Sequence, residues 1–235
     1  MTVPAAIRSA LLAALAASLV GCGGGGTSVV EETGSTATWT WSLPAFFPAP
    51  RVPEQNPMSI AKVELGRFLF HDRRLSGNGT QACSSCHQQA RAFTDGLAVS
   101  RGSTGVAHPR NAQSLANAAY HPTLTWANPA LVSLEKQMEV PLFGTDPVEM
   151  GVNDGNRDEI LSRLAADPGY PQRFREVWRD QANPIQWGNI ITAIAAFQRS
   201  ILSGDSRYDR YLAGRESLSA AEARGLALFF GEKAE

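Results

Sequence analysis

The chain has 235 residues, 43% of them hydrophobic and 18% charged, enough for one sizeable domain or two small ones around a real core. Its formal charge is −1 and the lysines and arginines are scattered, which excludes the basic face that nucleic-acid binding requires. There are three cysteines, Cys22, Cys83 and Cys86, few enough to be accounted for one by one.

Met1 to Arg8 form a short segment with a single positive charge, followed over 9–20 by an apolar run too short to span a membrane. The run ends in Leu19-Val20-Gly21-Cys22, which resembles the bacterial lipobox: 1–21 is then a lipoprotein signal peptide and Cys22 becomes the lipidated first residue. An ordinary secretory peptide cleaved nearby is the alternative. Both readings export the chain, and the first tethers it in the periplasm, at the outer membrane. Residues 22–56 read as a flexible tether, with Gly23 to Gly26, a Ser/Thr-rich stretch and Pro44, Pro48, Pro50 and Pro53 but no helical or strand period.

The first helix is predicted over 57–71, with Asn56 as N-cap and Pro57 at the first helical position. It carries Ile60, Val63, Leu65, Phe68, Leu69 and Phe70, with Gly66 available for close backbone approach. A Gly-rich loop over 72–80 leads into Cys83-Ser84-Ser85-Cys86-His87. Zinc would need a second ligand pair, and His71, His108 and His121 are dispersed singly. A thioredoxin-like CxxC sits within a βαβ pattern, and no alternating β-branched runs occur here. Cys-x-x-Cys-His is the attachment signature of c-type haem: the thiols add across the vinyl groups, and the adjacent imidazole becomes an axial ligand.

Helical composition continues over 112–120, 130–139 and 157–166. It is strongest over 186–203, where Trp187, Ile190, Ile194, Phe197 and Ile201 recur at helical spacing as a core stripe. A last helix is predicted over 218–230. Its Gly225-Leu-Ala-Leu228-Phe229 repeats the Gly66-Arg-Phe-Leu69-Phe70 of the first helix. The expected fold is all-α: a cytochrome c-like haem domain over 57–213, then, over 214–235, the first helix of a second such domain truncated before its own CxxCH.

From residue 57 onward the chain resembles the di-haem cytochrome c peroxidase/MauG family. The matching segments are Leu65 to Ser76, Cys83 to His87, Pro109-Arg-Asn111, Trp126, Gln137 with Pro141, Glu149-Met150, and Ser206 to Leu212. The wording Thr125-Trp-Ala-Asn-Pro129 and Pro141-Leu-Phe-Gly144 is nearest to the MbnH-like branch, associated with oxidation of a tryptophan on a partner protein. The resemblance implies that His87 is the proximal ligand of the N-terminal, peroxidatic haem and Glu149 the distal base that moves a proton between the peroxide oxygens. It implies that Gln137 and Pro141 line the distal pocket, that Trp126 relays electrons between two haems, and that Asn111 helps bind a calcium. Each has a plainer reading: Glu149 as a solvated acid, Trp126 as a core aromatic, Asn111 as a helix cap, Gln137 as an exposed helix residue. Typical peroxidases carry a histidine ahead of the Pro-Arg-Asn segment that caps the iron. Ser103 stands there, and His108 is out of that register, so an iron with one protein ligand and an open face is expected. The implied function is reduction of hydrogen peroxide, with oxidising equivalents passed to a second haem, a small redox protein or a protein tryptophan. This chain would hold one haem c and the intact parent two. The alternative is a non-enzymatic electron-transfer cytochrome c, which needs a second strong axial ligand such as Met138, Met150 or His108.

Overall fold

Two helices cross at the centre of the protein, and a glycine lets them do so. In the computed structural model, which describes residues 38–44 and 46–232, α1 (Ile60–Phe70) packs along α6 (Trp187–Arg199). A Cβ on Gly66 would stand 2.0 Å from the Ala193 carbonyl oxygen, so only glycine permits this approach. Around the pair lie α2 (Cys83–Cys86), α3 (Leu134–Phe143), α4 (Arg157–Ala165), α5 (Tyr170–Val177), α7 (Arg207–Leu212) and α8 (Ala220–Phe229). Among the described residues there is no strand, only isolated bridges, and the fold is all-α and cytochrome c-like. The described residues all belong to one compact unit spanning 34–235.

The main core gathers Leu65, Leu69 and Phe70 of α1, Met138 and Leu142 of α3, Ile160 and Leu164 of α4, Phe174 of α5, and Ile190 and Ile194 of α6. The stripe read from 186–203 is therefore core, as its spacing implies. Beneath it lies a buried ionic cluster: Arg199 pairs with Glu135 at 2.7 Å, Asn56 donates to Glu135 at 2.7 Å, and Lys62 Nζ donates to Asn56 Oδ1 at 3.0 Å.

Several helix limits differ from the sequence reading. Asn56 is not a cap: it is fully buried in that ionic cluster, and Ser59 caps α1 instead by accepting from the Lys62 N–H. The stretch 112–120 holds only a 3-10 turn, Ala118–Tyr120. Asn117 there is left-handed at φ 60°, and its side chain clasps the Ser203 N–H and C=O at 2.8 Å each, which a helix would not allow. The helix expected over 130–139 is shifted to α3, because the Thr125–Asn128 turn holds the preceding chain and Ser133 caps the new start. The sequence reading does not include α5 and α7. Part of the stretch read as tether lies on the domain: Phe47 meets Tyr120 edge-on at 5.6 Å, and the Tyr120 hydroxyl donates to the Pro48 carbonyl at 2.8 Å. The prolines of this stretch obscure the aromatic residues that pack it down. The signal peptide and Cys22 lie outside the described residues.

Candidate functional site

The loop over 76–82 is held so that the CxxCH turn faces a cleft. Gly77 N–H donates to the Met150 carbonyl at 2.8 Å, and Gln81 N–H donates to Ser76 Oγ at 3.0 Å. The single turn α2 then closes with the His87 N–H on the Cys83 carbonyl at 2.9 Å. One turn is what sets both sulfurs and the imidazole on the same side. Cys83 and Cys86 are free thiols; burial pushes the Cys83 thiol up to about 12, and burial raises Cys86 as well.

His87 is oriented from behind. Its Nδ1 lies 2.8 Å from the Phe93 carbonyl; a carbonyl only accepts, so Nδ1 carries the proton and Nε2 the lone pair. The chain achieves this through two successive left-handed residues, Ala92 at φ 52° and Phe93 at φ 61°, in a turn where such residues cost about 1–3 kcal/mol each. Phe70 packs against the imidazole, and Phe197 against Phe70 at 5.1 Å. Burial lowers the basicity of His87, opposed by the Phe93 and Gln113 carbonyls and by buried Asp95.

The cleft has a cavity volume of about 270 Å³ and opens to solvent at its mouth. Cys83, Cys86, His87, Gln137, Pro141, Glu149, Asn111 and Trp126 all line it, so every described site residue named from the sequence converges there. Gln137 and Pro141 come from α3. Pro141 has no N–H to donate to the Gln137 carbonyl one turn back, and its own carbonyl accepts the Met150 N–H at 2.9 Å. That bond, with Val152 N–H on Leu142 at 3.1 Å, docks the 148–152 segment beside the helix end and delivers Glu149 to the cleft. Burial raises the Glu149 carboxyl above its usual range, and His108 works in the opposite direction. Trp126 stands at the mouth, 88% exposed, which rules out the core-aromatic reading. With the Gln113 amide turned so that its oxygen faces the indole, Trp126 Nε1 donates to it at 3.1 Å. Asn111 is exposed on the same rim and caps no helix.

Two lining residues, Gln198 and Gln113, escape the sequence reading of the site, and a third, His108, enters it only as an alternative axial ligand. Gln198, on the α6 stripe assigned wholly to packing, is buried with its Oε1 unpartnered. Gln113 carries no motif signal. His108 reaches the same cleft despite its displaced register. Met138 and Met150 border the cleft as buried members of the main core.

These residues fit a c-type haem. Two free thiols one helical turn apart stand at the edge of an open cleft, beside an imidazole whose Nε2 lone pair is set by a hydrogen bond at Nδ1. Residues 60–217 match the family described as di-haem cytochrome c peroxidase. The chain is 40% identical over 211 residues to cytochrome-c peroxidase IdrP1 of Denitromonas iodatirespirans, covering 87% of this chain and 54% of that protein. It is 35% identical over 228 residues to methylamine utilization protein MauG of Methylorubrum extorquens, covering 93% and 63%. A crystal structure of a MauG-like protein associated with microbial copper homeostasis superposes with a TM-score of 0.82 at 58% identity, over 84% of this chain and 57% of that one. The chain thus spans little more than half the length of these relatives. A haem-attachment turn, a carboxyl-bearing cleft and a match over 60–217 together place this chain in the di-haem cytochrome c peroxidase family, to which MauG also belongs.

Proposed function

We propose that this chain is the peroxidatic half of a c-type haem peroxidase that reduces hydrogen peroxide and passes oxidising equivalents onward. The observation that carries the reading is Glu149: a half-buried carboxyl with a raised pKa, in the same cleft as Cys83, Cys86 and His87. Haem bound through the two thiols, with His87 as its protein ligand, would supply the redox-active iron at which peroxide is reduced. The chain's own contribution is proton handling and exclusion of water. The Glu149 carboxylate takes the proton of one peroxide oxygen and returns it to the departing one, work for which a carboxyl tuned toward the working pH is suited. Gln137 and Pro141 border the space beside it, and Leu134 and Met138 close its floor with apolar surface. Hydrogen peroxide, two protons and two electrons give two waters, the electrons coming from a small one-electron redox protein or an oxidisable protein side chain. Trp126, exposed and held by Gln113, is the residue through which they pass. The relatives named as peroxidases and as MauG support this class.

The same reading assigns calcium to Asn111 and begins a second haem domain with α8. It also places the protein in the periplasm, lipid-anchored through Cys22. Labelled palmitate incorporated by the wild type and not by Cys22→Ala checks the anchor. The central test is haem attachment and peroxide reactivity. A denaturing gel stained for haem should show covalent haem in the wild type and none in the Cys83→Ala/Cys86→Ala double variant. Stopped-flow mixing with peroxide should change the spectrum of the wild type and slow by about 10²–10⁴-fold in Glu149→Gln. A haem-loaded chain with a low-spin spectrum indifferent to peroxide would make it an electron-transfer cytochrome instead.

A further inference from the structure

The turn that holds Glu149 in place also carries an imidazole into the same cleft. Residues 100–110 double back as a short hairpin: Ser100 N–H donates to the Arg110 carbonyl at 3.1 Å, His108 N–H to the Ser100 carbonyl at 2.8 Å, and Gly102 N–H to the Val106 carbonyl at 3.3 Å. Gly105, at φ 80°, makes the tip. One edge of this hairpin is pressed onto the backbone of the distal segment. A Cβ on Gly102 would lie 1.9 Å from the Val148 carbonyl oxygen, and Ser103 N–H donates to the Glu149 carbonyl at 2.7 Å. His108 and Glu149 are thus fixed to one another through a rigid backbone contact, and both line the cleft. His108 Nε2 is buried, yet it has no hydrogen-bond partner in the protein. Buried nitrogens are normally paired, so one left open on a cleft calls for an occupant or a function.

We propose that His108 is a second proton-carrying group of this cleft, exchanging with Glu149 the proton taken from peroxide. In this relay the proton leaves a peroxide oxygen for a Glu149 carboxylate oxygen. From that carboxyl it passes to His108 Nε2 through a solvent molecule bridging the two groups, which make no direct hydrogen bond, and then returns to the departing oxygen, with no electron involved. The charge interaction between the two side chains is consistent with their proximity. The inference rests on the peroxidatic reading above and adds a residue to it.

The test uses the haem-loaded full chain as wild type, His108→Ala, His108→Gln and Glu149→Gln, with haem content and thermal midpoint measured for each. The relay is read by rapid mixing with peroxide and, independently of turnover, with hydrogen cyanide, which must surrender its proton to bind iron. Both association rates should fall by at least about tenfold in His108→Ala and His108→Gln, at unchanged haem content and unchanged ferric spin state. Combining His108→Ala with Glu149→Gln should cost no more than Glu149→Gln alone, because two members of one relay are not additive. Unchanged rates in both His108 variants would overturn the proposal while leaving the peroxidatic reading intact. So would a low-spin wild-type resonance that becomes high-spin in His108→Ala, since His108 would then be an iron ligand. A wild type that takes up no haem would overturn the function itself, and this inference with it.

Discussion

Glu149 shows how one side chain's surroundings decide both its chemistry and its cost. Burial raises its pKa, so the folded chain keeps the proton at pH values where the unfolded chain has already released it. The carboxyl therefore contributes a penalty that is absent below the ordinary carboxylate range, near pH 4, and grows as pH rises through the raised value. Glu149→Gln should have the same urea midpoint as wild type in acid and a higher midpoint at neutral pH. Equal midpoints at both pH values would show the carboxyl to be solvated. His87 is the complementary case, its tautomer set by a carbonyl that two left-handed residues bring into place. The sequence names His87 through the motif it completes. It gives no sign of Phe93, because a carbonyl's direction depends on backbone dihedrals and not on residue type.

At the scale of elements, the α1–α6 crossing and the ionic cluster beneath it hold the site's frame. Gly66→Ala would force a methyl into the Ala193 carbonyl, and overpacking of this kind costs about 1–3 kcal/mol. Chemical denaturation should show that loss, with haem attachment reduced in proportion to the unfolded fraction. Gly225, the matching glycine of α8, faces open space: no atom lies within 4 Å of where a methyl would stand, so Gly225→Ala should be neutral or slightly stabilising. Glu135 is the anion between Lys62 and Arg199. Burial by itself would raise its pKa, but the Asn56 amide and the Arg199 guanidinium together outweigh burial and hold the carboxyl below its usual range. Its stabilisation is present above the unfolded pKa and is lost as pH falls through the depressed folded one. Replacing it by leucine strands two buried cations and should cost about 3–5 kcal/mol at neutral pH, seen as a fall in thermal midpoint. The helical stripe over 186–203 is legible because its period is local. Asn56 is not, because a cap and a buried network residue look alike until the distant partners Glu135 and Thr192 arrive.

Across the whole molecule, the apolar surface is unevenly covered. Every residue of the two core clusters precedes Ile201, whereas α8 buries none of its residues, and Leu228, Phe229 and Phe230 are 54%, 74% and 70% exposed. It is tied to α7 by a solvent-facing ion pair, Arg207 with Glu222, which stabilises little. Removing residues 214–235 should therefore move the thermal midpoint by less than about 2 °C. A large fall would mean that α8 supports the core.

The sequence alone determined the haem-attachment turn, the all-α class and the family, because covalent chemistry and helical periodicity are written in neighbouring residues. It also supplied, through family register, the residues that line the cleft. Tertiary structure decided what those residues experience: the burial that tunes Glu149, the exposure of Trp126, the buried setting of Asn56, and the arrival of His108 and Gln198 at the same cavity. Burial and convergence are sums over segments far apart in the chain, and they exist only once α1 and α6 have crossed and the loops have closed around them.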